Sequence, residues 1–155
     1  MSAKRETRKP KLVLSVQYAL PAGGLPTRTH VRKWVLAALK HSAEITVRFV
    51  GEDEGRTLNR DYRGKDYATN VLTFVYEEGE PLAGDIVLAV PVVAREADEQ
   101  HKTLEEHYAH LLVHGVLHLQ GYDHETDADA LVMEGMEKEI MQGLGYTDPY
   151  AGEER

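Results

Sequence analysis

Three histidines fall within the run His114-Gly115-Val116-Leu117-His118-Leu119-Gln120-Gly121-Tyr122-Asp123-His124. On a helix, residues four apart lie on one face, so His114 and His118 can aim both imidazoles at one ion. Gly121 follows the apolar stretch, where helices commonly end in a left-handed glycine. The chain can then turn and deliver His124 from a second direction. Three imidazoles leave one position of a tetrahedral metal open, which is the catalytic rather than the closed structural type of site. The chain has 8 histidines, so spacing by fours is not distinctive by itself. His110 and His114 share it, and His107 lies on nearly the same stripe. The third histidine beyond a helix-ending glycine sets the later group apart. Nitrogen ligands of this kind suit one Zn²⁺ per chain, and also nickel, copper or iron.

The offsets and the glycine match the zinc motif H-E-x-x-H-x-x-G-x-x-H of the metzincin proteases. The glutamate that serves those enzymes as general base is absent, and Gly115 stands in its place. The ligand spacing is shared and the chemistry is expected to differ. Asp123, beside His124, is a candidate base or an orienter of the ligands. The alternative, which the residue type favours, is a turn residue at the helix end. Arg63 offers a planar fork of donors that matches a phosphate and stays charged at any working pH, although an arginine here also reads as plain surface. Arg56, Arg60 and Lys65 would extend a phosphate track that Asp61 and Asp66 partly cancel. Asn70 and Thr73 read either as ligand contacts at a cleft or as residues satisfying backbone groups at a strand start.

The elements that must position these residues follow from periodicity and caps. Lys11–Tyr18 reads as a strand, and Thr27 caps a helix over about 28–41 with Val31, Trp34, Val35 and Leu39 on one face. Glu44–Val50 alternates as a second strand. Asp53 opens a short helix to about Asp61. Asn70–Tyr76 and Asp85–Val90 are two more strands, joined by a long, mobile connection over Glu77–Leu82. Pro91 starts a helix ending near Gln100. Thr103-Leu104-Glu105-Glu106 is a capping box for the histidine helix, which runs to about Gln120. A last helix from Thr126 to about Gly143 carries Leu131, Met136, Ile140 and Leu144 as its apolar face, with Glu134, Glu137 and Glu139 on a solvated one. The order β-α-β-α-β-β-α-α-α predicts a single α+β domain with a four-stranded mixed sheet and five helices.

Length and composition fit one soluble domain: 155 residues, 42% hydrophobic and 28% charged. Residues 1–10 read as a flexible basic arm, 11–150 as one metal-hydrolase domain and 151–155 as a polar tail. There is no cysteine, so any metal must be held by nitrogen and oxygen. The apolar stretch after Lys11 is too short for a membrane span and too interrupted for a signal peptide, so a cytoplasmic location and no membrane partner are expected. The net charge is −8 but unevenly spread. Residues 1–95 carry 15 basic and 11 acidic residues, and residues 96–155 carry 3 and 15. A phosphate backbone would be met by the first part and repelled by much of the second.

The run H-G-x-L-H-L-x-G-Y-D-H resembles the YbeY family of bacterial metal-dependent endoribonucleases. So do Tyr62-Arg63 with Thr69-Asn70-Val71-Leu72-Thr73-Phe74, the strand start Gly84-Asp85-Ile86-Val87, and the ending Leu144-Gly145-Tyr146-Thr147-Asp148-Pro149-Tyr150. The resemblance covers about residues 11–150, with threonine at 73 where serine is usual. It implies the same architecture, a metal on His114, His118 and His124, and a functional role for Arg63. It also implies single-stranded ribosomal RNA as substrate, with work in 16S rRNA 3′-end maturation and ribosome quality control beside ribosomal particles or ribosome-associated proteins. Two other readings remain. One is a metalloprotease-like hydrolase, supported by the spacing and opposed by Gly115. The other is a non-catalytic metal-binding, ribosome-associated module.

Overall fold

The computed structural model describes residues 9–21 and 23–151. Most of the basic arm and of the polar tail expected from the sequence therefore lies outside the described residues. Four strands and five helices follow in the expected order. They are β1 (Leu12–Tyr18), α1 (Arg28–Ala38), β2 (Ala43–Val50), α2 (Glu52–Arg63), β3 (Val71–Glu77), β4 (Leu82–Ala89), α3 (Val90–Glu99), α4 (Leu104–Leu119) and α5 (Asp127–Gly143). Among the described residues no helix is long and apolar enough to cross a membrane.

The sheet order is β1-β2-β4-β3. β1, β2 and β4 run parallel, and β3 pairs antiparallel with β4 at the edge, so the sheet is mixed. β2 alternates as its sequence requires: Ala43, Ile45, Val47 and Phe49 face the main core. That core is closed by Val31, Trp34, Val35 and Ala38 of α1, by most of α4, and by Met133 and Met141 of α5. A smaller cluster on the opposite face joins Val50, Leu72, Val87 and Ala89 to Leu58 of α2 and Phe74.

Three helices start on threonine caps. Thr27, Thr103 and Thr126 each accept a hydrogen bond from the backbone N–H three residues on, at 3.0–3.2 Å, which satisfies a donor the helix leaves unpaired. The expected long connection after β3 is corrected. β3 continues through Glu77 and β4 begins at Leu82, because Leu82–Gly84 pair with Ala43–Ile45 of β2. The expected apolar face of α5 is corrected at one residue: Leu131 points to solvent, while Met136, Ile140 and Leu144 pack partly buried against the core, beside a fully buried stripe of Met133, Glu137 and Met141 spaced by fours.

Two glycines decide how close α4 sits to the sheet. A Cβ at Gly84 would stand 2.6 Å from the carbonyl oxygen of Phe74 and 3.0 Å from Cδ2 of Leu119 in the last turn of α4. A Cβ at Gly115 would stand 3.2 and 3.3 Å from two carbons of Ile86. Gly84→Ala is expected to destabilise the fold by about 2 kcal/mol through overpacking. For a chain of this size that lowers the melting temperature by roughly 4–8 °C. An unchanged melting curve would contradict this close packing.

Candidate metal centre

Helix α4 is buried on nearly every side, as its run of leucine and valine requires. His114 is partly exposed and His118 exposed, near its C-terminal end. The helix stops in a two-bond turn. Gly121 N–H donates to the carbonyl of His118 at 3.0 Å and Tyr122 N–H to that of Leu117 at 3.2 Å. Gly121 has φ +101°, so the position favours glycine. The turn brings His124 back over α4. Ring centres are 6.5 Å apart for His114–His118, 5.6 Å for His114–His124 and 6.4 Å for His118–His124.

Among the described residues no three His, Asp or Glu side chains stand close enough together to hold a metal ion as they are placed. The donor set nevertheless fits a metal. Three imidazoles bound at about 2 Å on a tetrahedral ion place their ring centres about 5 Å apart, so the histidines stand roughly an ångström wide of closure. The outer nitrogens of two of them are already oriented. His118 Nδ1–H donates to the carbonyl of Tyr122 at 3.0 Å, and His114 Nδ1 faces Glu137 Oε1 at 3.4 Å. Such contacts fix the tautomer and leave Nε2 of each ring as the free donor.

Glu137 was expected on a solvated face and is instead 1% exposed. Its Oε1 accepts from His110 Nε2 and, at 2.9 Å, from the hydroxyl of Tyr150. Burial pushes its carboxyl up, but the hydrogen bonds from His110 and His114 outweigh that and hold it down at about 2. One signal was available in the sequence: Glu137 sits midway between Met133 and Met141 on the inward stripe. His107 is likewise taken, by Glu96 at 2.9 Å. The two other histidines on the α4 stripe thus bind carboxylates rather than join the three-histidine group.

A cleft of about 460 Å³ opens over the histidines, lined also by Arg63, Val71, Thr73, Asp123 and Tyr62. Arg63 is the last residue of α2, exposed, with the helix ended by Gly64 at φ +70°. The expected phosphate track is shorter than four residues. Arg56 is held by both oxygens of Asp66 at 2.8 and 2.9 Å, and Arg60 by Asp61 at 3.3 Å. Arg63 and Lys65 have no such partner among the described residues. Asp123 Oδ1 accepts from the N–H of Glu125 at 3.2 Å, the turn-forming role. Asn70 also serves the fold. Its Nδ2 donates to Glu96 at 3.0 Å, and its Oδ1 accepts from Val71 N–H.

Because the carboxyl of Glu137 is held below its usual value of 4.5, its stabilising share is complete above that value. It is lost as pH falls toward 2. The difference in unfolding free energy between wild type and Glu137→Gln should be constant near neutrality and shrink between about pH 4.5 and 2. A difference independent of pH would contradict the network.

The chain was compared with known proteins. The sequence model of the family described as Endoribonuclease YbeY matches residues 27–145. A protein of Aromatoleum aromaticum named Endoribonuclease YbeY is 62% identical, with 97% of this chain and 100% of that protein covered. One of the same name from Methylobacillus flagellatus is 59% identical, over 94% of this chain and 98% of its own. A Thermotoga maritima protein solved in solution shares the fold. Its TM-score is 0.55 at 24% identity, over 92% of this chain and all of that one. With a family match across most of its length and relatives near 60% identity that align end to end, the chain belongs to the YbeY family.

Proposed function

We propose that the chain is a metal-dependent endoribonuclease that prefers single-stranded RNA. Its work would lie in 16S rRNA 3′-end maturation and ribosome quality control, in the cytoplasm, beside ribosomal particles. Residues 11–150 would be the hydrolase domain. The names of its relatives supply the reaction class. The observation that carries the reading is one cleft lined by both the three-histidine group and Arg63, which has no carboxylate partner among the described residues.

His114, His118 and His124 would hold one Zn²⁺ or another divalent transition metal. When bound, that ion supplies Lewis-acid stabilisation of charge on phosphorus oxygens. Arg63 presents its fork to the same phosphate, where negative charge builds as the bond breaks. Asp123 holds the turn that presents His124. A single strand can bend to bring its backbone into such a cleft, and unpaired regions are where proteins usually read RNA.

The protease reading is disfavoured by packing as well as by sequence. A glutamate at 115 would be driven into Ile86 rather than into the cleft. A binding module without catalysis would not need Arg63 and the metal ligands to converge on one phosphate.

Arg63→Ala should keep the melting temperature and metal content of wild type while RNA cleavage falls by about 10²–10³, the loss typical of removing one charge-stabilising donor. Arg63→Lys should not restore it, since lysine is a point charge without the fork. His114→Ala, purified identically, should be inactive. Cleavage of casein instead of RNA, or an Arg63→Ala variant as active as wild type, would overturn the assignment. Two free cations predict a shallow salt dependence, with a slope of about 1.4 in log affinity against log salt on a single strand. Faster cleavage of a perfect duplex than of a matched single strand would contradict the preference.

A further inference from the structure

An aromatic row lies along the outer edge of the sheet beside the histidines. Tyr62 is 69% exposed, one residue before Arg63 in the last turn of α2. Its ring meets Phe74 of β3 edge to face, with centres 5.2 Å apart at 69°. That contact occupies one side of the ring and leaves the rest open to the cleft that Tyr62 and Phe74 help to line. Tyr76, at a register shift of β3 between Val75 and Glu77, is 66% exposed and reaches Asp85, the residue that pairs with Phe74. Its hydroxyl donates to Asp85 Oδ2 at 2.7 Å, which anchors the ring. The fold has no need of a large ring so exposed at Tyr62: most of its surface packs against nothing, whereas burying such a ring is what normally repays it.

We infer that Tyr62 is a base-stacking subsite: a nucleobase adjoining the phosphodiester held by Arg63 lies on its open face. The inference rests on the proposal that RNA enters this cleft, and it adds a recognition element that phosphate contacts do not provide. Two features favour a nucleobase over a protein segment. The ring is adjacent in sequence to Arg63, which lines the same cleft beside Asp123 and Glu125, and lies three residues before Lys65; neither cation has a carboxylate partner among the described residues. Cationic groups that track the backbone, alternating with aromatic rings that take the bases, are how sequence-tolerant single-strand sites are built. Because every base has a π-face, the subsite would favour unstacked RNA without reading sequence. It would exclude a duplex, whose bases are already stacked.

The test is equilibrium binding of a labelled single-stranded RNA with a non-cleavable 2′-O-methyl backbone to the full chain, as wild type, Tyr62→Ala, Tyr62→Phe and Tyr62→Trp. Tyr62→Ala should weaken binding about tenfold, within the range of base–aromatic stacking, with melting temperature and metal content unchanged. The Phe and Trp variants should bind as wild type. Replacing bases one at a time by abasic sites should weaken wild-type binding at one position by a similar factor and should not affect Tyr62→Ala there. Wild type that binds RNA while Tyr62→Ala binds equally well would overturn the inference and leave the proposed function standing. So would a Tyr62→Phe loss as large as that of Tyr62→Ala, which would assign the effect to the hydroxyl, or equal sensitivity of both proteins to abasic sites. Wild type that binds no RNA would overturn both readings of the cleft.

Discussion

The burial of α4 between the sheet and its neighbouring helices is the constraint on which the site depends. A helix packed on all sides cannot rotate about its axis without breaking apolar contacts along its length. His114 and His118 are therefore held on one line by residues that never touch a ligand: Tyr108, Leu112, Val113, Val116 and Leu117, all at most 1% exposed. Gly84 and Gly115 bring that helix close to the strands. Gly121 then lets the chain reverse over its end and carry His124 back. The same packing accounts for the difference from the protease motif. Position 115 faces the sheet, so it is filled by the residue without a side chain. Arg63, at the end of α2, lines the same cleft as the histidines.

The second level of control is electrostatic. A buried carboxylate is costly unless it is hydrogen-bonded and paired. Glu137 meets that condition with His110, Tyr150 and the outer nitrogen of His114. The C-terminal turn that carries Tyr150 is thereby joined to the metal helix. Lys102, just ahead of α4, ties the turn down again by donating to the carbonyl of Pro149 at 3.0 Å. The acidic excess of the C-terminal part is in this respect partly structural. One of its charges is consumed inside the protein, where it holds His110 and His114 in orientation.

What was legible in the sequence is what local chemistry decides. Thr27, Thr103 and Thr126 declare their helices because a cap bonds its own first turn. The histidine spacing and Gly121 declare the turn for the same reason. What was not legible depends on partners distant in the chain. β4 begins earlier than its pattern suggests because parallel pairing with β2 orders Leu82–Gly84. Glu137 looks like a surface glutamate until α5 is laid against α4, 27 residues from His110. Leu131 reads as core by type, yet it lies off the line that Met133 and Met141 define.

The central claim is that three histidines from a buried helix and its returning turn hold one metal ion with a position left open. Elemental analysis of gently purified protein tests it most directly, with wild type compared to the combined His114→Ala, His118→Ala and His124→Ala variant and to His110→Ala. The account predicts about one equivalent of a divalent transition metal in wild type, as one three-histidine site requires. It predicts none in the triple variant, and a bound ion still present, if held more weakly, in His110→Ala. Equal metal in wild type and the triple variant, or its loss only when His110 is removed, would contradict it.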